Sequence, residues 1–276
     1  MKNNGLVMLI SGSGGVGKNT LIQGMLGKNN YKFISSYTTR ARRETDTVNQ
    51  YQYITVPEFE DKIKNHEILE YDFFCNNYYG TSRELFVDGL KEAEVVLKDI
   101  TVMGCKNIIE GLGDQLNITS VFLTATKKDL KQRLINRGEN PAKIKARLNL
   151  YKKEQAHIPN YEYLIYNNVY LDSLDKLFKI AEVGLGKSRI LPSCDYNKIS
   201  AKRIDKLALK LEKGKVLKPI KVALYNNEIY IVDGVHSYLA ALKTGKNVVK
   251  QFVEQVPKNT KVNVEEWDKI VASYKI

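Results

Sequence analysis

Short apolar runs alternate with amphipathic stretches over residues 1–183. The runs at 6–10, 32–36, 95–99, 120–123 and 163–166 read as strands, and the segments at 58–65, 82–93, 128–136 and 174–183 carry apolar positions at helical spacing. Such alternation predicts an α/β fold with a mostly parallel sheet flanked by helices. Ser82, followed by Glu84 and Leu85, fits a helix start, and Asp172 or Ser173 is placed to cap the helix at 174–183. The pattern breaks at Gly184-Leu185-Gly186-Lys187-Ser188 and then restarts. Ser200 opens a helix with Ile204, Leu207, Ala208 and Leu211 on one face, and Gly214 ends it. A strand at 220–224, the turn Asn226-Asn227, a strand at 229–232 and a helix from about His236 to Lys243 complete a small α+β module. The division expected is therefore a first domain at 1–183 and a second at 188–276.

Directly after the first strand the chain reads Gly12-Ser13-Gly14-Gly15-Val16-Gly17-Lys18-Asn19-Thr20. Glycines at these positions let successive backbone N–H groups turn toward phosphate oxygens, and Lys18 adds a point charge where a transferred phosphoryl would sit. A chance glycine turn is the competing reading; the order strand, loop, helix favours phosphate. One position departs from the usual pattern. Asn19 stands where Ser or Thr normally holds magnesium, and a hydroxyl arrives one residue later at Thr20.

Two further clusters carry chemistry. Residues 35–43, Ser-Ser-Tyr-Thr-Thr-Arg-Ala-Arg-Arg, place cations beside hydroxyls, suited to holding a second phosphate bidentately, although a solvated charge run is the simpler reading of this segment alone. Glu70-Tyr71 and Asn77-Tyr78-Tyr79-Gly80-Thr81 bring a carboxylate, aromatics and a hydroxyl within a dozen residues, a plausible base pocket. A carboxylate accepts from the N1–H and exocyclic amine of guanine, whereas adenine has no N1 hydrogen. Asp99, ending an apolar strand, is placed to orient magnesium or to cap a turn.

Taken together, Ser36, Thr38-Thr39-Arg40, Arg43, Tyr51-Gln52-Tyr53, Glu70, Asn77 to Thr81, Asp99-Ile100, Arg133 to Gly138 and Arg147 resemble the guanylate kinase family over residues 5 to about 183. The resemblance implies a P-loop nucleoside monophosphate kinase fold that uses ATP and Mg2+ and a nucleoside monophosphate acceptor. It implies that Arg40, Arg43, Tyr51 and Tyr79 bind the acceptor phosphate while Ser36, Glu70 and Thr81 read guanine. Arg133, Arg137 and Arg147 would belong to a lid over ATP, with Asn167 near its adenine. Thr101 stands where the family has a second Asp that contacts guanine, the loop before Tyr51 is one residue shorter, and Glu139 follows Arg137-Gly138 where Thr is common. GMP or dGMP is thus the leading acceptor; a modified nucleotide, or a nucleotide-sensing DNA-binding protein without catalysis, is the alternative.

The second module, through Lys218-Pro219-Ile220 and Asp233-Gly234-Val235-His236-Ser237, resembles the ParB-like and sulfiredoxin-like fold. Catalytic relatives carry Arg after the His, and sulfiredoxins a Cys two residues before that Arg; Ser237 and Val235 occupy those places. A binding or regulatory module follows, with Asp233, Gly234 and His236 as candidate positions. His236 reads either as a base or ligand or as a structural residue at a helix start.

Charge and composition sharpen this only in part. Of the formal net charge of +12, residues 184–276 carry 18 Lys and Arg against 9 Asp and Glu, or +9, leaving +3 for residues 1–183. A basic module attracts polyanions, nucleic acid among them, but a bias toward Lys, Asn, Ile and Tyr explains the excess equally well. The three cysteines form no C-x-x-C pair, no apolar run spans a membrane, and no signal peptide opens the chain, so a cytoplasmic location is expected. Nothing in the sequence sets an oligomeric state.

Overall fold

The structure, a computed structural model, describes residues 5–42, 51–74 and 76–275. The chain packs as two units, one of residues 1–11 and 18–119, the other of residues 12–17 and 120–276.

In the first unit β1 (Leu6–Gly12) leads to α1 (Lys18–Met25), β2 (Tyr31–Phe33), β3 (Ser36–Thr38), β4 (Tyr51–Tyr53) and α2 (Val56–Lys64). There follow β5 (Ile68–Phe74), β6 (Asn77–Ser82), α3 (Arg83–Glu92), β7 (Val95–Asp99) and α4 (Val102–Leu112). β7 pairs in parallel with β1, Leu6 opposite Val95 through Ile10 opposite Asp99, and on its other edge with β2. Residues 6–10 and 95–97 are fully buried, as the unbroken apolar runs require of parallel strands covered on both faces.

The strand expected at 32–36 is divided between two sheets. Ile34 N–H donates to Leu97 O, the last bond toward β7, and from Ser36 onward the chain joins a second sheet in the order β4-β3-β6-β5. That sheet is mostly antiparallel, β5 and β6 forming a hairpin turned at Asn76 with φ +60°. Its polar and aromatic strands lack the apolar runs that marked the first sheet, so beyond Ser36 the sequence pattern predicted no strand there. α4 was also missed; Gly104 interrupts its buried face and Gly111 lowers its helix propensity. Ser82 caps α3 as expected, accepting from Leu85 N–H at 3.5 Å.

The second unit contains β8 (Ile118–Thr124), mostly within it, then α5 (Lys127–Asn136), α6 (Pro141–Gln155), β9 (Tyr163–Tyr166) and α7 (Tyr170–Gly184). Beyond these come β10 (Ile190–Pro192), α8 (Ala201–Glu212), β11 (Ile220–Tyr225), β12 (Glu228–Asp233), α9 (Val235–Thr244), β13 (Lys250–Phe252) and α10 (Val264–Tyr274). α7 starts earlier than the capping residues suggested: Val169 is its N-cap, without a side-chain bond, Asp172 lies in the first turn bonded to Lys176 at 2.6 Å, and Ser173 is buried. Among the described residues no helix is long and apolar enough to cross a membrane.

The C-terminal elements share a sheet with β9. β13 pairs in parallel with β9, Lys250 opposite Tyr163, and with β11 on its other edge, while β12 runs antiparallel to β11 through a hairpin whose Asn226 and Asn227 hold φ +48° and +59°. Two consecutive asparagines at positive φ are the two-residue turn the sequence indicated. α10 is pinned by Trp267, which is 1% exposed, donates from Nε1 to Ile190 O at 2.8 Å and stacks with Tyr196 and Tyr238.

Trp267→Phe leaves the Ile190 carbonyl without its indole donor in a buried setting. Chemical denaturation followed by far-UV circular dichroism should show a loss of about 1–3 kcal/mol. Tyr196→Phe, removing an exposed bond to Asn263 O at 2.9 Å, should cost less than about 0.5 kcal/mol.

Candidate functional site

The residues predicted to hold an acceptor phosphate meet on the second sheet of the first unit. Thr38 sets the local geometry: its hydroxyl donates to Tyr78 O at 2.9 Å and accepts from Arg40 N–H at 3.2 Å, fixing where Arg40 leaves β3. Arg40 is 9% exposed, donates from Nη1 to Ala41 O at 2.8 Å, and lies 5.4 Å from the ring centroid of Tyr51 and 5.9 Å from that of Tyr53. Tyr79 meets Tyr51 edge to face at 5.7 Å. Two aromatic rings beside the guanidinium restrict its rotamers. Arg43 lies outside the described residues.

The expected base-reading residues also converge. Thr81 Oγ1 donates to Glu70 Oε1 at 2.7 Å and stands 3.5 Å from Ser36 Oγ. The other carboxylate oxygen of Glu70 abuts α4: a Cβ on Gly104 would lie 2.8 Å from Oε2. Thr101 is the N-cap of α4, its hydroxyl accepting from Gly104 N–H at 3.1 Å. Burial holds the Glu70 carboxyl above the usual carboxylate range, opposed by the Thr81 bond and by the charge of Lys98.

Lys98 was not among the predicted site residues. It lies on β7, 3% exposed, and its Nζ donates to Ser36 Oγ at 2.7 Å, with the Phe33 ring 5.8 Å away. The available signal was a charge directly after Val95-Val96-Leu97, inside a strand whose neighbours are buried on both faces. Burial pushes its ammonium down to about 8, against the attraction of Glu70 and Asp99. The adjacent Asp99 approaches Lys18 Nζ at 4.0 Å, and burial raises its carboxyl while Lys18 and Lys98 oppose the shift. Asn19 and Thr20, early in α1, are exposed.

In the second unit, the loop at residues 12–17 is shaped by glycines in conformations other residues rarely adopt. Gly12, Gly15 and Gly17 hold φ of +141°, +94° and +96°. At Gly12 a Cβ would sit 2.1 Å from Leu123 O, so close backbone approach as well as φ requires glycine. Val16 O is held by Arg133 Nη1 at 3.1 Å and by Asn167 Nδ2 at 2.7 Å, and Arg133 Nη2 reaches Asn167 O at 2.5 Å. Arg133 and Asn167 thus grip the loop's backbone. Arg147 pairs with Glu139 at 3.6 Å, its Nη1 beside Gly14, and Arg137 is the exposed C-cap of α5. Ser13 Oγ is buried.

Toward the C-terminus, Asp233 is exposed at the end of β12, and Gly234, at φ +96°, is the N-cap of α9. His236 Nε2 accepts from Ser200 N–H at 3.1 Å, tying α9 to the start of α8. Partial burial and then Arg203 lower its proton affinity, consistent with a neutral acceptor ring.

The guanylate kinase family model matches residues 4–183. A guanylate kinase from Clostridium tetani is 33% identical over 178 residues, covering 64% of this chain and 85% of that protein. One from Mycoplasmoides gallisepticum is 38% identical over 177 residues, covering 62% and 87% respectively. The crystal structure of guanylate kinase from Anaplasma phagocytophilum superposes with a TM-score of 0.51 at 23% identity, over 66% of this chain and 87% of that one, a likeness of fold.

The Lys98 ammonium gives a pH signature. Its folded value lies below its ordinary one, so the unfolded chain binds more protons between about 8 and 10.5, and the cost of burying the charge is complete below about 8 and fades above it. The melting temperature of Lys98→Met minus that of the native chain should therefore fall as pH rises from 7.5 to 10.5. A difference independent of pH would contradict a buried, charged Lys98.

Proposed function

Because the chain belongs to the guanylate kinase family over residues 4–183, we propose that it transfers the γ-phosphoryl of ATP to the phosphate of GMP or dGMP. The observation that carries this reading is the acceptor set gathered within one unit: Arg40 with Tyr51 and Tyr79 at one end, Glu70 with Thr81 and Ser36 at the other. A cation framed by aromatic rings suits a monophosphate. A carboxylate fixed by a threonine hydroxyl suits a purine edge that donates.

In this mechanism the loop's N–H groups and Lys18 bind the ATP phosphates, and an acceptor phosphate oxygen attacks the γ-phosphorus in line as the β–γ bridging bond breaks, giving ADP and a nucleoside diphosphate without a covalent enzyme intermediate. Lys18 stabilises charge on the transferring group. Arg40, Tyr51 and Tyr79 hold the nucleophile, and Arg43 joins them by analogy with the family. Arg137 and Arg147 act as lid cations that exclude water, and Asn167 lies near adenine. Arg133 contributes by fixing the Val16 and Asn167 carbonyls, and so the loop.

We propose that Asp99 and Thr20 would hold magnesium. Asp99, whose side chain is 33% exposed, offers one carboxylate and Thr20 one hydroxyl, and Mg2+ characteristically takes one or two protein oxygens with water and phosphate for the rest. When bound it neutralises charge on the ATP phosphates.

We further propose residues 188–276 as an accessory module that attracts polyanions, because +9 of the formal charge lies in residues 184–276.

A coupled ADP-release assay over a panel of ribo- and deoxynucleoside monophosphates should give the highest kcat/KM with GMP or dGMP. Lys18→Ala should lower kcat by about 100-fold or more, and Arg40→Ala should raise the acceptor KM by about 10-fold or more. No turnover of any monophosphate by the native chain, with Lys18→Ala equally inert, would sink the reading. For the accessory module, anisotropy of labelled single-stranded DNA should report binding by the full chain at 50 mM salt, weakening by about 10-fold or more at 200 mM. Absence of binding at low salt removes that proposal.

A further inference from the structure

We propose that Lys98 is a specificity-determining residue of the acceptor site: it donates to the 6-oxo group of the purine, so that selection rests on the 6-position and only weakly on the 2-amino group. This deepens the kinase reading and rests on it.

Lys98, Ser36, Thr81 and Glu70 form one chain of polar groups. Nζ donates to Ser36 Oγ at 2.7 Å, Ser36 Oγ lies 3.5 Å from Thr81 Oγ1, and Thr81 donates to Glu70 Oε1 at 2.7 Å. A donor-only cation stands at one end and an acceptor carboxylate at the other. Holding Ser36 in place needs no cation, since a hydroxyl can pair with Thr81 alone. A buried ammonium with hydrogen-bonding capacity to spare is costly unless something accepts from it, and among the described residues Ser36 takes one of its three donors. The arrangement is therefore matched to a ligand that brings an acceptor beside a donor.

A 6-oxopurine brings that pair. Its carbonyl accepts and its adjacent N1–H donates, complementing Lys98 and Glu70 in turn. A 6-aminopurine reverses both groups, setting an amine against the ammonium and a lone pair against the carboxylate. Two reversed contacts in a desolvated site reject such a base strongly.

At the 2-position the chain offers less. Thr101 is a neutral hydroxyl already accepting from Gly104 N–H at 3.1 Å as the cap of α4. Glu70 is then the group that distinguishes guanine from hypoxanthine, and it meets N1–H in both. The expected acceptor preference is GMP and IMP together, well above 2,6-diaminopurine riboside monophosphate and AMP.

The test measures kcat and KM of the full chain for GMP, IMP and 2,6-diaminopurine riboside monophosphate, the last differing from GMP at the 6-position and in the N1 hydrogen that follows from it. Lys98→Met should lower the ratio of kcat/KM for GMP over the diamino nucleotide by about 10- to 100-fold, mainly through KM, and leave the GMP-to-IMP ratio within about threefold. Lys98→Arg, which restores a donor cation, should recover part of the ratio. Calorimetric GMP binding should weaken in parallel for Lys98→Met and distinguishes loss of recognition from loss of fold, which circular dichroism reads directly. A native chain that rejects IMP by more than about 100-fold, or a Lys98→Met chain whose three kcat/KM values fall by one common factor or stay unchanged, overturns the proposal while leaving the kinase reading intact. Failure of the native chain to phosphorylate or bind any purine monophosphate overturns both.

Discussion

Burying β7 on both faces is the constraint from which the acceptor site follows. With β1 and β2 on its edges and helices α1 and α3 packed against it, β7 buries Val95, Val96 and Leu97 completely, and the charged residues that follow must find partners inside the protein. Lys98 and Asp99 point to alternate faces of the strand, as its period of two requires. Lys98 meets Ser36, and Asp99 approaches Lys18. One strand end thus supplies a polar residue to the Ser36–Thr81–Glu70 cluster and another to Lys18.

The loop at residues 12–17 meets a different demand. A turn that offers its N–H groups to phosphate cannot spend them on regular secondary structure, and its shape must come from glycine conformations and from groups that hold its carbonyls. Gly12, Gly15 and Gly17 supply the first through positive φ; Arg133 and Asn167 supply the second through Val16 O. Arg133 also reaches the backbone of Asn167, so loop and clamp form one unit. A residue expected to act on substrate charge thus braces the backbone of the glycine loop.

The C-terminal segment shows how a weak local pattern can be stabilised by pairing. β13 has three residues and β10 three, too short to signal themselves, yet β13 is held on both edges by β9 and β11, and β10 is secured by β12 and by the indole of Trp267. His236, the position that invited a chemical role, uses Nε2 to accept from the cap of α8.

By itself the sequence determined much that depends on near neighbours, though not α4 or the β5–β6 hairpin. Glycine spacing specified the turn after β1, alternation of apolar runs with helical stretches specified the parallel strands β1, β7, β8 and β9, and Asn226-Asn227 specified a hairpin. Individual side chains within Ser36–Arg40, Glu70 and Asn77–Thr81 were legible because the family motifs fix them in order. What only the tertiary structure decided was which of these side chains meet across long separations: Ser36 with Lys98, 62 residues apart, and Val16 with Arg133, 117 apart. The split of residues 31–38 between two sheets was equally invisible, since Ser35-Ser36 interrupts the apolar pattern without saying which sheet the chain joins next. Periodicity records which face of an element is buried but not which neighbour covers it, so a lysine in an apolar strand reads as an exception until its partner across the fold is known.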